Sequence, residues 1–294
     1  MKKIIFLAVL TLVSSFYALA GNKYQLKLKK GDSFVMTTKI EQKITQNVMG
    51  MEITIDLNVN AEVDLVVSEL SKGEVLFSQV YKSLMVTMKA PMQGVDISMD
   101  SNGESNEYNN AIKSVLGKEV RVKVDVEGNI LSIEGLDQFL SDLRIVEDSG
   151  ADLLQFFDEE GLKKNFKALF PITYGKNYEQ GDTWSLENVK EGEMRVESNT
   201  DYLVSAVSKN KFEYTSQSSR YVSGYQEQQG MEMSINMNGK FSGKAEMNTK
   251  TGLLKSYSQT GMMTGNTVIE ANEQMPMDMD IPMTIEMITV TSLK

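Results

Sequence analysis

Neither cysteine nor histidine occurs in the 294 residues of this chain. Without cysteine there is no disulfide, no thiol nucleophile and no thiolate metal ligand. Without histidine the commonest general base and the commonest metal ligand are also missing, so a Ser-His-Asp triad or an ordinary zinc site cannot be assembled. The enzymatic routes left open need paired carboxylates, as in glycoside hydrolysis, or a Lys or Tyr base. Positive charge is in deficit as well: 30 Lys and Arg face 40 Asp and Glu, a net charge of −10. A surface of that sign repels phosphate backbones, which argues against a nucleic-acid partner.

Only one run is long and apolar. Lys2 and Lys3 precede Ile4 to Val13, and Ala18-Leu19-Ala20-Gly21 follows. A basic start, a short apolar core and small residues before a break describe a secretory signal cleaved after Ala20. The run is well short of the ~20 residues that span a bilayer. The expectation is therefore a protein of the periplasm or the medium, with no transmembrane segment after cleavage. Loss of the signal removes two lysines and no acid, which moves the net charge from −10 to −12.

What the chain does have is alternation. From Met51 to Val67 every second residue is apolar, and the intervening residues up to Asp64 are polar. That is a strand with one buried face. The pattern returns from Met231 to Met247, and Gly50-Met51-Glu52-Ile53-Thr54-Ile55 stands over Gly230-Met231-Glu232-Met233-Ser234-Ile235. The chain reads as duplicated. Turn signals at Lys30-Gly31-Asp32, Ser71-Lys72-Gly73 and Gly128-Asn129 join the strands. A last strand runs from Met277 to about Val290, where Pro276 and Pro282 remove backbone donors and point to an edge, at least in part.

Helical spacing is confined to the middle. Tyr108, Ala111, Ile112, Val115 and Leu116 form one stripe ended by Gly117; Leu136, Phe139, Leu140 and Leu143 form a second. Leu153 to Phe157 and Leu162 to Phe170 supply two more before Pro171. The fold expected is mainly β: two similar halves of long, coiled antiparallel strands, with a few amphipathic helices between them packed on the sheet. The divisions are 1–20 signal peptide, 21–135 first β half with one helix, 136–172 helical connection and 173–294 second β half.

Motifs with chemistry are few. Asp158-Glu159-Glu160 opens a helix, where acids favour the dipole, and Asp100-Ser101-Asn102-Gly103 is a turn rather than a calcium loop, because Ser98 and Asn109 would fall at its first and twelfth positions. Trp184 suits a packing role near a strand start. The chain has 20 methionines, and Met275-Pro276-Met277-Asp278-Met279 invites comparison with exported Cu(I)-binding segments. Methionine in place of aliphatic residues on a buried face explains the same spacing. No catalytic, metal or cofactor residue is assigned. The candidate site is an apolar ligand face: Ile53, Ile55, Leu57 and Val59 in the first half, with Met233, Ile235 and Met237 in the second. Its occupant would be a lipid acyl chain or an apolar peptide, and another envelope protein is the remaining kind of partner. The rival reading is a carboxylate-dependent glycan-active enzyme.

Lys29-Lys30-Gly31-Asp32, the Met-rich strand after Gly50, Leu116-Gly117-Lys118, the hairpin from Asp125 to Gly135, Leu169-Phe170-Pro171 and Gly181-Asp182-Thr183-Trp184-Ser185 follow in an order that resembles an exported family common in Bacteroidota, domain of unknown function 6263. The resemblance implies no activity. By inferred shape alone the chain is similar to periplasmic lipoprotein carriers, which hold acyl chains against a coiled sheet.

Overall fold

Alternation at period two gives each strand one apolar and one polar face, and strands of this kind make up almost all of the computed structural model. It describes residues 24–143, 174–192, 194–228, 231–271 and 277–294, with Phe166, Leu169, Phe170 and Ile172. The expected signal peptide, the acids at 158–160 and the stripe at 153–157 lie outside the described residues. The elements in order are β1 (Ser33–Val48), β2 (Met51–Ser71), β3 (Glu74–Ala90), a 3-10 turn (Pro91–Gln93), β4 (Val95–Asp100), α1 (Glu107–Val115), β5 (Glu119–Asp125), β6 (Ile130–Glu134) and α2 (Leu136–Leu143). After these come β7 (Thr183–Lys190), β8 (Met194–Ser208), β9 (Lys211–Gln228), β10 (Met231–Met247), β11 (Leu254–Ile269) and β12 (Met279–Leu293).

The strands form one twelve-stranded sheet in the order β6-β5-β3-β2-β1-β12-β11-β10-β9-β8-β7, with β4 beside β3, and every pairing is antiparallel. The fold is mainly β with little helix. The 21 residues of β2 would span about 70 Å if straight, so right-handed twist must accumulate along it.

The last strand is central rather than at the edge that its prolines suggested: β12 lies between β1 and β11. Proline is tolerated there because the β1 ladder ends at Gln46–Met283, leaving Pro282 paired with Asn266 of β11 alone. The strand as a whole is interior, and the proline sits where only one neighbour remains.

Backbone hydrogen bonds recur in a register different from the one suggested by the Met51 and Met231 segments. Lys29 N–H donates to Asp32 Oδ2 at 2.8 Å, and Glu179 N–H donates to Asp182 Oδ2 at 2.9 Å. Gly31 N–H donates to Val67 O, as Gly181 N–H does to Val204 O, and Val67 and Val204 N–H return bonds to Asp32 and Asp182 O. A bulge at Ser68 interrupts β2 against β3, and a bulge at Ser205 interrupts β8 against β9. These features align β1 with β7, β2 with β8 and β3 with β9. The likeness of β2 to β10 reflects the alternation that any one-faced strand shows; hooks and bulges carry register, and alternation does not.

One face of the sheet is packed at one end. Leu57, Val59, Val63, Leu65 and Val67 of β2 lie with Phe77, Leu84, Val120, Val122 and Val124 in the main core. Tyr24, Leu28, Phe166, Leu169, Phe170, Ile172 and Tyr178 belong to the same cluster from outside the strands, as do Ile112 and Val115 of α1. Phe77 is fully buried, with its ring 5.8 Å from Phe166 and 6.1 Å from Phe170. Side chains of this size contribute about 1.5–3 kcal/mol each on burial. Asn106 caps α1 by accepting from Asn109 N–H at 2.7 Å. Asp100 Oδ1 accepts from Asn102 N–H at 2.8 Å, closing the turn before that helix.

Candidate binding face

Residues opposite one another in a ladder share a face, so the registers assign each side chain to the packed inner face or the outer one. One inner row runs Ile55, Ile44, Ile285, Met263, Gly239, Arg220 and Ser198. The next runs Ile53, Gln46, Met283, Gly265, Met237, Val222 and Val196. The two halves of the sequence-derived face thus meet in common rows although β1, β12 and β11 separate β2 from β10. At about 4.8 Å per strand, Ile53 and Met237 stand roughly 19 Å apart.

The proposed residues do not share one environment. Leu57 and Val59 are locked into the main core, whereas Ile53 and Ile55 near the Met49-Gly50 turn are half-buried. Met237 belongs to a second cluster with Phe241 and Met263, against which Ile235, Val222, Met283, Ile285 and Met287 pack. Met233 is half-buried one pleat beyond. The residues that sequence reasoning left out of the face are those of β9, β11 and β12. For β12 the signal was present, since Met279, Ile281, Met283, Ile285 and Met287 alternate.

Every described member of the second cluster is a strand residue. That separates it from the main core, which receives side chains from outside the sheet. Its floor is low because large side chains lie across glycines: Phe241 lies over Gly261, and Met263 over Gly239, where a Cβ would collide with them. Between the two clusters the inner face turns polar at Ser216, Ser218, Thr200, Gln259 and Thr289, with Thr200 Oγ1 donating to Ser218 Oγ at 2.9 Å.

Among the described residues, the inward parity of β1–β5 and β8–β12 carries a single charged side chain, Arg220, and the edge strand β7 adds exposed Lys190, paired with Val196. Its guanidinium lies over the Phe241 ring, 4.7 Å from the centroid. Burial lowers its pKa from the ordinary arginine value, and the nearby Tyr257 phenol opposes that shift. Tyrosines of the same face are shifted too. Burial raises Tyr214 well above the usual phenol value, with Tyr202, Tyr257 and Tyr174 adding, and raises Tyr202 and Tyr257 as well. Trp184 stacks on Tyr202 at 4.8 Å and meets Tyr178 edge-on at 5.6 Å, a packing role near the start of β7.

The acids point outward. Two open depressions, about 760 and 650 Å³, are lined mainly from outward positions: Glu187, Glu197 and Lys240 lie in the first, which inward Ser198, Arg220 and Gly239 also line, and Glu41, Lys43, Asp56, Lys89 and Glu286 lie in the second. Among the described residues no three Asp or Glu side chains come together as metal ligands. No described helix is long and apolar enough to cross a membrane, a statement that does not extend to strands.

A family model described as a family of unknown function, DUF6263, matches residues 72–254, more than half of the chain. No curated protein matches the chain at a significant level. Among solved structures, one of lipovitellin concerned with lipid–protein interactions has 12% identity and a TM-score of 0.49, over 91% of this chain and 25% of that one. This chain therefore spans about a quarter of that chain's length. An outer membrane channel from Pseudomonas putida F1 has 8% identity and a TM-score of 0.24, over 93% and 98% of the two chains. Each score lies below one half, so no property of these proteins is carried to the chain.

Proposed function

This chain belongs to the DUF6263 family, whose function is unknown, and we propose that it is an exported, non-enzymatic envelope protein whose inner sheet face holds an apolar ligand. The carrying observation is the second cluster. Ile235, Val222, Met283, Ile285 and Met287 stay half-buried on a face where every described neighbour is itself a strand residue. Apolar surface left contiguous in this way marks a binding site more often than a finished core. The repeated hooks and bulges support a build of two similar halves that share the main core, with the adaptable face beyond it on the strands of the second half.

Titration with the neutral apolar dye N-phenylnaphthylamine tests this. Saturable binding is expected, and Ile285→Asp, which puts a carboxylate into the floor, should abolish it while the urea midpoint stays within reach of the parent. Non-saturable fluorescence that the substitution leaves unchanged overturns the reading.

A second reading has its own observation, since Met237, Met263, Met283 and Met287 converge in the same cluster and thioethers bind Cu(I). Cu(I) that displaces the dye stoichiometrically would favour it. A glycan-active enzyme has weaker support, because it needs two acids facing each other across a cleft, and the outer acids alternate with Lys43, Lys89 and Lys240 on an open surface.

A further inference from the structure

Charged side chains that leave water are found with a partner, because desolvation is repaid only by an opposite charge or a set of hydrogen bonds. Arg220 is partly buried on the inner face, and among the described residues it has an aromatic ring beneath it but no carboxylate. Its row neighbours are Gly239 and Ser198, and its neighbours along β9 are Ser218 and Val222. None can be an anion. The ring contact offsets part of the desolvation, yet the five N–H donors of a guanidinium suit a planar anion, which the ring does not supply. In a chain with 40 acidic side chains, an inner face without one inward-facing acid among the described residues is a selective arrangement.

The position of Arg220 matters as much as its charge. It stands at a border. On one side lie the serines and threonine of the polar belt. On the other, the apolar strip runs along β10 from Gly239 to Met233, about 20 Å at about 3.3 Å per residue. An occupant matching this border has one anionic end and one long apolar tail. We propose that the face binds a single-chain anionic amphiphile, a long-chain fatty acid, with its carboxylate on Arg220 and its tail over Met237, Ile235, Met283 and Ile285. This inference rests on the apolar-ligand reading and adds the chemical class of the ligand. Burial of Arg220, which lowers its pKa, leaves it charged at neutral pH and strengthens its attraction for an anion in the same low-dielectric setting.

The test compares palmitate with hexadecanol, equal in chain length and different in headgroup, as competitors of the neutral dye on the parent protein and on Arg220→Met and Arg220→Lys. Palmitate should bind the parent about tenfold to a hundredfold tighter than hexadecanol, the range expected of a charge-assisted hydrogen bond. Arg220→Met should erase that preference while keeping hexadecanol binding, and Arg220→Lys should restore part of it. Should Arg220→Met fail to fold, the parent's own preference decides: palmitate and hexadecanol competing equally overturns the assignment of Arg220 and leaves the apolar-ligand reading standing. If neither competes, both readings fall.

Discussion

The buried phenols make stability at high pH a quantitative test of the packing. Tyr81 and Tyr214 are buried in the main core, and Tyr174 packs against it. Burial raises the pKa of each, with Tyr24 and Tyr178 adding at Tyr174. A phenol ionises by losing a proton, so a raised folded pKa means that above pH 10 the unfolded chain releases protons the folded chain retains. The stability is complete below the unfolded value near 10 and is lost as pH climbs toward the folded values. At pH 11 a phenol that stays protonated in the fold costs up to about 1.4 kcal/mol, so the three together cost up to about 4 kcal/mol, a large fraction of the 5–15 kcal/mol typical of a fold. Urea midpoints by circular dichroism should be level from pH 7 to 9, where the chain has no histidine to titrate, and then fall steeply. Tyr214→Phe should recover part of that loss at pH 11 relative to its effect at pH 7. A midpoint independent of pH up to 11, or no recovery by Tyr214→Phe, would refute the burial argument.

Phe77→Ala should cost about 3–5 kcal/mol by urea titration, because Phe77 is fully buried against Phe166 and Phe170. Among the described residues the buried Tyr24 hydroxyl has no hydrogen-bond partner, so Tyr24→Phe should leave stability at pH 7 unchanged or raise it by up to about 1 kcal/mol; a loss of stability would count against this. Gly252→Ala should be worse than Gly31→Ala. Both positions have positive φ, a cost of about 1–2 kcal/mol for alanine, but only at Gly252 would the new Cβ also collide with Gln25 O. Faster exchange of the Lys27 amide, which donates to Thr251 O at 2.8 Å, is the local readout, and equal thermal shifts for the two variants would count against it.

Much of the sheet was legible because burial of one face writes itself into every second residue. Ile53 to Val67, Val120 to Val124 and Met279 to Met287 all show the parity that the registers confirm. The Gly128-Asn129 turn was legible for a different reason: Asp125 Oδ1 accepts from the Glu127 and Asn129 N–H groups at 2.8 Å, a local arrangement needing no tertiary context. The place of β12 was not. A proline argues locally for a missing donor, and nothing local shows that the pairing of β12 with β1 ends one residue short of it. Arg220 escaped for a third reason. From Ser216 to Ser219 both parities are polar, so the alternation that elsewhere marks the inner face is silent around the arginine. Counting from Phe212 and Tyr214, both buried, would have put it inside.

The two clusters also differ in the kind of side chain that fills them, and this bears on function. In the main core the β2 positions are Leu57, Val59, Val63, Leu65 and Val67, branched side chains with few rotamers, set against fixed aromatic partners. In the second cluster half of the members are Met237, Met263, Met283 and Met287, unbranched and polarisable, beside Val222, Ile235, Ile285 and Phe241, and Met263 lies across Gly239. Branched residues specify one packing; thioether chains adjust to several. A core that only had to be filled would gain from the first kind at both ends of a continuous sheet. Methionine concentrated at the end where every described neighbour is a strand residue, with Arg220 at its border, is the composition that the proposed fatty-acid site requires.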